Sequence, residues 1–273
     1  FQIHAMTGDF ETLRKLVDFT VKHHFPDHRT DSDEALLEWL KQVADETARM
    51  IAHWMRVGFV HGVMNTDNMS IHGLTIDYGP YGWLEGYDPD WTPNTTDART
   101  KRYRFGNQGR IGEWNFARLL ESMGPLMSDP ERLYEALDHY RESYQTHDKS
   151  VWADKLGLGD FRPGDEELVS ELVSNLQIVE TDMTIFFRSL SSISSPEVSQ
   201  IELAFYDSET IPSDQWGQWL SKWWDRVGGQ PDREAMRLAN PKYVLRNWMA
   251  QLAIDAADKE DYSVARELHE MLK

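Results

Sequence analysis

Apolar residues along this chain follow two regimes: helical spacing toward both ends, and a middle stretch with no period at all. In ETLRKLVDFTVKHHF, Leu13, Leu16, Val17, Phe19 and Val21 recur at helical intervals and Pro26 follows, which predicts a helix over 10–24. DSDEALLEWLKQVADETARMIAHWMRVGF gives a longer one. Asp31 or Ser32 can cap its free amides, Leu36, Leu37, Leu40, Val43, Ala44, Ala48, Ile51 and Met55 keep one face apolar, and Gly58 ends it. Between about 58 and 108 the period vanishes and Gly, Pro, Asn and Asp accumulate around YDPDWTPNTTD. An irregular stretch of that length usually carries function. Helical spacing returns at Ile111 and continues through IGEWNFARLLESM, PERLYEALDHYRESYQTHDKSVWADKL, DEELVSELVSNLQIVETDMTIFFRSL, SDQWGQWLSKWWDRV and KYVLRNWMAQLAIDAADKEDYSVARELHEML. The predicted fold class is therefore mainly α, a single domain with no internal repeat; SLSSISSPEVS reads as a short Ser-rich linker within it.

One β element is expected. MSI and LTI flank His72-Gly73, a two-residue turn between β-prone runs, which predicts a tight hairpin over 69–76 with the glycine at positive φ. Such a hairpin would set its outer ends, Asn68 and Asp77, side by side.

Composition narrows the partners. Of 273 residues 40% are hydrophobic, enough for a sizeable core, and Trp216, Trp219, Trp223 and Trp224 stand at helical intervals as core packing. Lys and Arg total 28 against 46 Asp and Glu, a net charge of -18, so neither nucleic acid nor a membrane surface is an expected partner. No apolar run is long enough to span a bilayer. The absence of cysteine rules out disulfides and thiolate zinc sites. His23, His24, His53 and His61 have no metal-ligand spacing. RTKRYRFGNQGR gathers five of the 28 basic residues, either an anion contact or a surface paired with acidic neighbours. The opening FQIHAMTGDF lacks an initiator Met and any signal-peptide feature, as in a fragment or a processed product.

An amide oxygen beside a carboxylate on a loop edge suits a hard divalent cation that keeps several waters and binds nucleotide phosphates, the usual situation of Mg²⁺. The plainer alternative is that Asn-Thr-Asp-Asn forms Asx turns and Asp77-Tyr78-Gly79-Pro80 is one more turn. Spacing favours the first. Protein kinases use H-R-D-L-x-x-x-N, a hairpin and D-F-G, in which the Asn and the last Asp hold Mg²⁺. Here His61 to Asn68 has the same length and DYG follows, yet Gly62 and Val63 replace the Arg and the catalytic Asp. Valine can neither accept a proton nor orient a hydroxyl. Asp67, next to Asn68, is the carboxylate available for that role.

GFVHGVMNTDNMSIHGLTIDYGP, YDPDWTPNTTD, YRFGNQGRIGEWNFARL and NPKYVLRNWMAQLAIDAA resemble, in order, the SelO (selenoprotein O) family of kinase-like proteins, which transfer AMP from ATP to protein hydroxyls. The likeness is weakest between about 125 and 235. It implies a protein-kinase-like C-lobe over 1–273, with catalytic loop and hairpin at 58–80 and an activation-like loop at 81–108. It also implies Asp67 as the catalytic carboxylate, Asn68 and Asp77 as ligands of Mg²⁺ (Mn²⁺ possible) and of the nucleotide, and ATP bound in an orientation flipped relative to kinases. The implied partners are ATP and proteins bearing Ser, Thr or Tyr hydroxyls; the implied compartment is the cytoplasm in a bacterium and the mitochondrion in a eukaryote. The family's upstream Gly-rich loop, Lys, Glu and Arg residues have no counterpart here, nor does the Cys or selenocysteine found near the C-terminus of many members. The N-lobe is thus expected to be missing and nucleotide binding by this segment alone to be weak. A kinase-like phosphotransferase and an inactive helical scaffold are the alternatives.

Overall fold

A computed structural model describes residues 1–273, the side chain of Ser208 excepted. Its helices are α1 (Gln2–Thr7), α2 (Phe10–His24), α3 (Asp33–Val57), α4 (Gln108–Met123), α5 (Leu133–Leu156), α6 (Asp165–Asn175), α7 (Met183–Leu190), α8 (Ser213–Arg226), α9 (Arg233–Ala239), α10 (Asn247–Ala257) and α11 (Ser263–Met271). The chain is mainly α, as the apolar spacing predicts. Helix α2 has the bounds read from its period, with the Asp9 carboxylate accepting from Thr12 N–H at 3.1 Å at its start.

Two runs that read as single helices are broken, each at a competing polar contact. The run from Asp165 to Leu190 divides into α6 and α7 because Asp182 leaves the helix: its carboxylate caps the Ile185 N–H at 2.9 Å, accepts the Tyr206 hydroxyl at 3.0 Å and pairs with Arg246 at 2.7 Å. A buried carboxylate with three partners outweighs the few tenths of a kcal/mol by which propensity favours continuation. The run from Lys242 to Leu272 divides into α10 and α11 at Glu260, whose φ of 62° no helix admits.

The β element is not where the β-prone runs put it. Strand β1 (Phe59–Val60) pairs antiparallel with β2 (Gly82–Trp83), Phe59 opposite Trp83 and Val60 opposite Gly82. Residues 69–76 contain no strand; a turn at 71–73 is closed by Gly73 N–H donating to the Ser70 carbonyl at 3.3 Å. The reason is tertiary. Ile71 packs on a hydrophobic core, and the His72 ring lies parallel to Phe25, 5.0 Å between centroids and 6° between planes. These contacts hold the segment against helices, where no strand partner is offered.

The chain forms two compact units, one of residues 1–52, 63–79 and 107–147, the other of 53–62, 80–106 and 148–273. The first is built around Leu37, Trp39, Leu40, Val17, Phe116 and Tyr140. Gly112 admits the closest helix approach there, since a Cβ would stand 2.1 Å from Ile51 Cδ1. The second unit is built around Phe186, Phe187 and the fully buried indoles of Trp216, Trp219 and Trp223. At about 25 cal/mol per Å² and roughly 200 Å² per ring, each indole contributes about 5 kcal/mol before entropy is counted. Trp219 and Trp223 donate to the Leu168 and Leu156 carbonyls, both at 2.9 Å. Among the described residues no helix is long and apolar enough to cross a membrane.

Candidate active site

The β1–β2 pair brings residue 60 beside residue 82, so the intervening chain leaves and returns at one point. Beyond the pair, Gly62 has a φ of 80°, and a Cβ there would stand 2.3 Å from the Pro80 carbonyl oxygen. Only glycine allows that closeness. Asn94 Nδ2 donates to the Gly62 carbonyl at 3.0 Å, and Asn94 Oδ1 accepts from Thr96 N–H at 3.0 Å. His61, buried to 1% exposure, packs with the rings of Trp54 at 5.4 Å and Phe59 at 6.5 Å. All of these groups belong to the second unit.

Residues 63–79 belong to the first unit, and with them all three side chains singled out from sequence. Met64 is fully buried, and its carbonyl accepts from Asn115 Nδ2 on α4 at 2.9 Å. Next comes one 3₁₀ turn, Thr66–Asn68, with Asn68 N–H bonded to the Asn65 carbonyl at 3.0 Å. Asn68 Nδ2 donates to the Val63 carbonyl at 3.0 Å. That bond fixes the amide so that Oδ1, the hard oxygen, is the end left for a ligand. Asp67, in the same turn, is exposed, and among the described residues its carboxylate takes no hydrogen bond or ion pair.

At the turn, Gly73 adopts a φ of 59° with the space of a Cβ filled by the Glu46 carbonyl at 2.6 Å, which pins the segment to α3. Four residues later Asp77 takes a φ of 56°, and its carbonyl accepts from Gly79 N–H at 2.8 Å, closing a three-residue turn. A left-handed conformation costs a non-glycine residue roughly 1–2 kcal/mol, least for Asp and Asn, and residues held there cluster at functional sites. The Asp77 carboxylate is exposed and, like that of Asp67, has no partner among the described residues.

The donor set is all hard oxygen: one amide and two carboxylates. Among the described residues no three or more His, Cys, Asp or Glu side chains converge to hold a metal without help. A cation that takes most of its ligands from phosphates and water needs no such cage, so the residues present fit Mg²⁺ bound with a nucleotide.

Sequence reading missed the polar groups that shape the loops. Asp97 is buried and accepts from Thr100 Oγ1, from Arg102 N–H at 3.0 Å and from Tyr103 N–H at 2.7 Å. Burial pushes its carboxyl up, but those hydrogen bonds win and hold it below the usual 3.8. Asn94 and Asp97 sit in a TPNTTD run that reads as ordinary turn residues, and Asn115 reads as one more polar position of a helix. The basic stretch is in part neutralised locally: Arg104 Nε pairs with Asp90 at 2.9 Å.

These features describe a mainly helical protein whose long irregular region presents an exposed Asp-Asn step and a left-handed Asp on one loop. The sequence model of the family "Protein adenylyltransferase SelO" matches residues 1–273. Among curated proteins, "Protein nucleotidyltransferase YdiU" of Flavobacterium johnsoniae is 47% identical over 286 residues, covering 100% of this chain and 55% of the relative. The proteins of the same name from Xanthomonas euvesicatoria and Xanthomonas axonopodis are 46% and 47% identical, with 54% of each covered. This chain belongs to the SelO family. It spans about half the length of the curated relatives it matches, all bacterial.

Proposed function

We propose that the protein to which this chain belongs transfers AMP from ATP to hydroxyl groups of other proteins, and that residues 1–273 are the kinase-like helical lobe carrying the acceptor and metal side of the reaction. The observation that carries this reading is the placement of three oxygen-bearing side chains on one loop, one of them on a left-handed backbone. Asp67, Asn68 Oδ1 and Asp77 stand on one loop of one unit with no partner among the described residues, and Asp77 is held there at a cost in backbone energy. The family match over the whole chain supports the same assignment.

In this reading Asn68 Oδ1 and the Asp77 carboxylate hold Mg²⁺, with Mn²⁺ able to replace it, and the ion supplies neutralisation of phosphate charge. Asp67 accepts a hydrogen bond from the attacking hydroxyl, orients its lone pair toward the α-phosphorus and takes the proton as the new O–P bond forms and the bond from the α-phosphorus to the α,β-bridging oxygen breaks, releasing pyrophosphate. Val63 cannot do this, having no polar atom. The rigidity of the loop comes from Gly73 against α3, from Asn115 on the Met64 carbonyl and from Asn68 on the Val63 carbonyl. Positioning of this kind supplies much of the rate when the metal and the nucleotide do the rest. Acceptors would be Ser, Thr or Tyr side chains, and bacterial relatives favour a cytoplasmic setting.

The test uses the full-length parent with α-labelled and γ-labelled ATP in parallel. Adenylyl transfer moves the α label to protein and leaves the γ label in pyrophosphate. Transfer of the γ label instead would replace this reading with that of a kinase.

A further inference from the structure

Beside Asp67 the first unit contains a cavity of about 300 Å³ that the loop chemistry does not use. Its walls are apolar for the most part: Val43 on α3, Phe116 and Leu119 on α4, Met69 and Ile71 on the loop, with Phe1 and Ile3 at one edge. Asp67 and Thr66 form part of its lining, so the cavity opens onto the carboxylate assigned to the acceptor hydroxyl.

Two residues of this lining each carry a buried polar atom without a partner. Asn115, 6% exposed, uses both amide hydrogens inward, on the Met64 carbonyl at 2.9 Å and the Ile111 carbonyl at 3.1 Å, and its Oδ1 accepts nothing. The two carbonyls fix the amide orientation, since an oxygen turned toward them would face acceptors. One helical turn on, Arg118 spends an NH2 group on Glu121 at 2.5 Å while its Nε stays buried and unbonded. Residues i and i+3 share a helix face, so the residues that carry the unmet acceptor and the unmet donor are neighbours on α4. Leaving such groups buried and unmet costs roughly 1–3 kcal/mol apiece, a cost a ligand recovers.

We propose that this cavity is the acceptor-side specificity pocket: it receives an extended peptide segment flanking the modified hydroxyl residue, and this rests on the function proposed above. One apolar side chain enters among Val43, Phe116 and Leu119, while one residue of the extended segment gives its own N–H to Asn115 Oδ1 and its own C=O to Arg118 Nε. In an extended segment one residue's own N–H and C=O point to the same side, so a single residue meets both needs at once. The volume is at the lower limit of ligand pockets, fitting one side chain and its peptide unit rather than a nucleotide.

The experiment is a fluorescence-anisotropy titration of labelled hydroxyl-containing peptides against the full-length parent, with and without Mg²⁺-ATP, accompanied by transfer kinetics. Leucine is stepped through each position relative to the hydroxyl residue, and at the best position it is replaced by Ala or its amide is N-methylated. Expected is one preferred offset, with binding weakened about tenfold to a hundredfold by either change, the N-methyl loss reflecting the stranded acceptor. In Leu119→Trp, which fills the cavity, the Leu-to-Ala discrimination falls to about one in binding and in KM. Because the peptide changes are made against the wild-type protein, a Leu119→Trp that fails to fold leaves the test intact. No preferred offset, unchanged discrimination in a folded Leu119→Trp, or a parent structure in which its own upstream residues fill the cavity overturns the proposal. Peptide binding with the predicted preference but without transfer of AMP overturns the function proposed above and leaves the pocket standing.

Discussion

Two neighbouring stretches of irregular chain draw on the same turn-forming residues and have opposite polar economies. Residues 63–79 and 80–106 are both rich in Gly, Asn and Asp. In the second stretch Asn94 and Asp97 are buried and their side chains are consumed by the Gly62 carbonyl and by the amides of Thr96, Arg102 and Tyr103. In the first, Asp67 and Asp77 face solvent with no partner among the described residues, and Asn68 uses only its NH2 group. The difference separates a carboxylate that builds a loop from one that a loop presents. A turn-forming Asp repays its desolvation by bonding nearby amides. One left unbonded in a left-handed backbone is maintained at a cost, and the cost is recovered only when something binds.

Substitutions in the two stretches should therefore fail in different ways. In the first, Asp77→Asn keeps the side chain best suited to the left-handed backbone and removes only the charge. In the parent we expect transfer to fall about 10³-fold or more, as for loss of a metal-holding group, with a melting temperature near that of wild type. A loss of activity that tracked unfolding would erase the distinction between the stretches. Asp67→Ala should slow transfer by about 10² to 10⁴ with ATP affinity nearly intact, the pattern of a lost general base. Single-turnover kinetics beside nucleotide titration checks this, and a weakened ATP affinity with normal single-turnover rate would move Asp67 out of its assigned role.

In the second stretch the damage should be to stability. Asp97→Ala strands two backbone amides and a hydroxyl, for an expected loss of about 2–4 kcal/mol by urea unfolding. Because Asp97's carboxyl is held below its ordinary 3.8, its contribution is present above about pH 4 and drains away as pH falls through the lowered value. Wild-type stability that is flat in this acid range while the variant's changes would contradict the bonding assigned to Asp97.

The smallest effect concerns Asp148, which burial pushes up to about 6 and whose charge faces Tyr87 of the second stretch. Here the sign is reversed. A carboxyl raised in the folded state destabilises it once ionised, so Asp148→Asn should stabilise the protein at pH 7 by roughly 1–3 kcal/mol. That advantage should shrink as pH falls from above 6 toward 4, and thermal melts across this range would read it. Equal melting temperatures at pH 7 would place Asp148 in a more polar setting than its burial indicates.

How far the sequence carries can be read from the same residues. Helix α2 was legible because its apolar period and Pro26 agree. The break at Asp182 was not, since its partners Tyr206 and Arg246 come from far along the chain. The hairpin over 69–76 failed for a related reason: local β preference at MSI and LTI gave way to His72 on Phe25 and Gly73 against Glu46. Asp67, Asn68 and Asp77 could be nominated because their spacing follows a chemical motif. Asn115 could not, because what marks it is an unmet oxygen in a cavity, a property of packing that no local pattern encodes.

The central claim is that the Asp67–Asp77 loop serves transfer of AMP. Its most direct test is intact-mass spectrometry of acceptor protein after incubation with Mg²⁺, ATP and the full-length parent, wild type beside Asp77→Asn. The account predicts an AMP-sized gain with wild type and none with the variant over the same time. A phosphate-sized gain, or an AMP-sized gain that persists undiminished in Asp77→Asn, would contradict it.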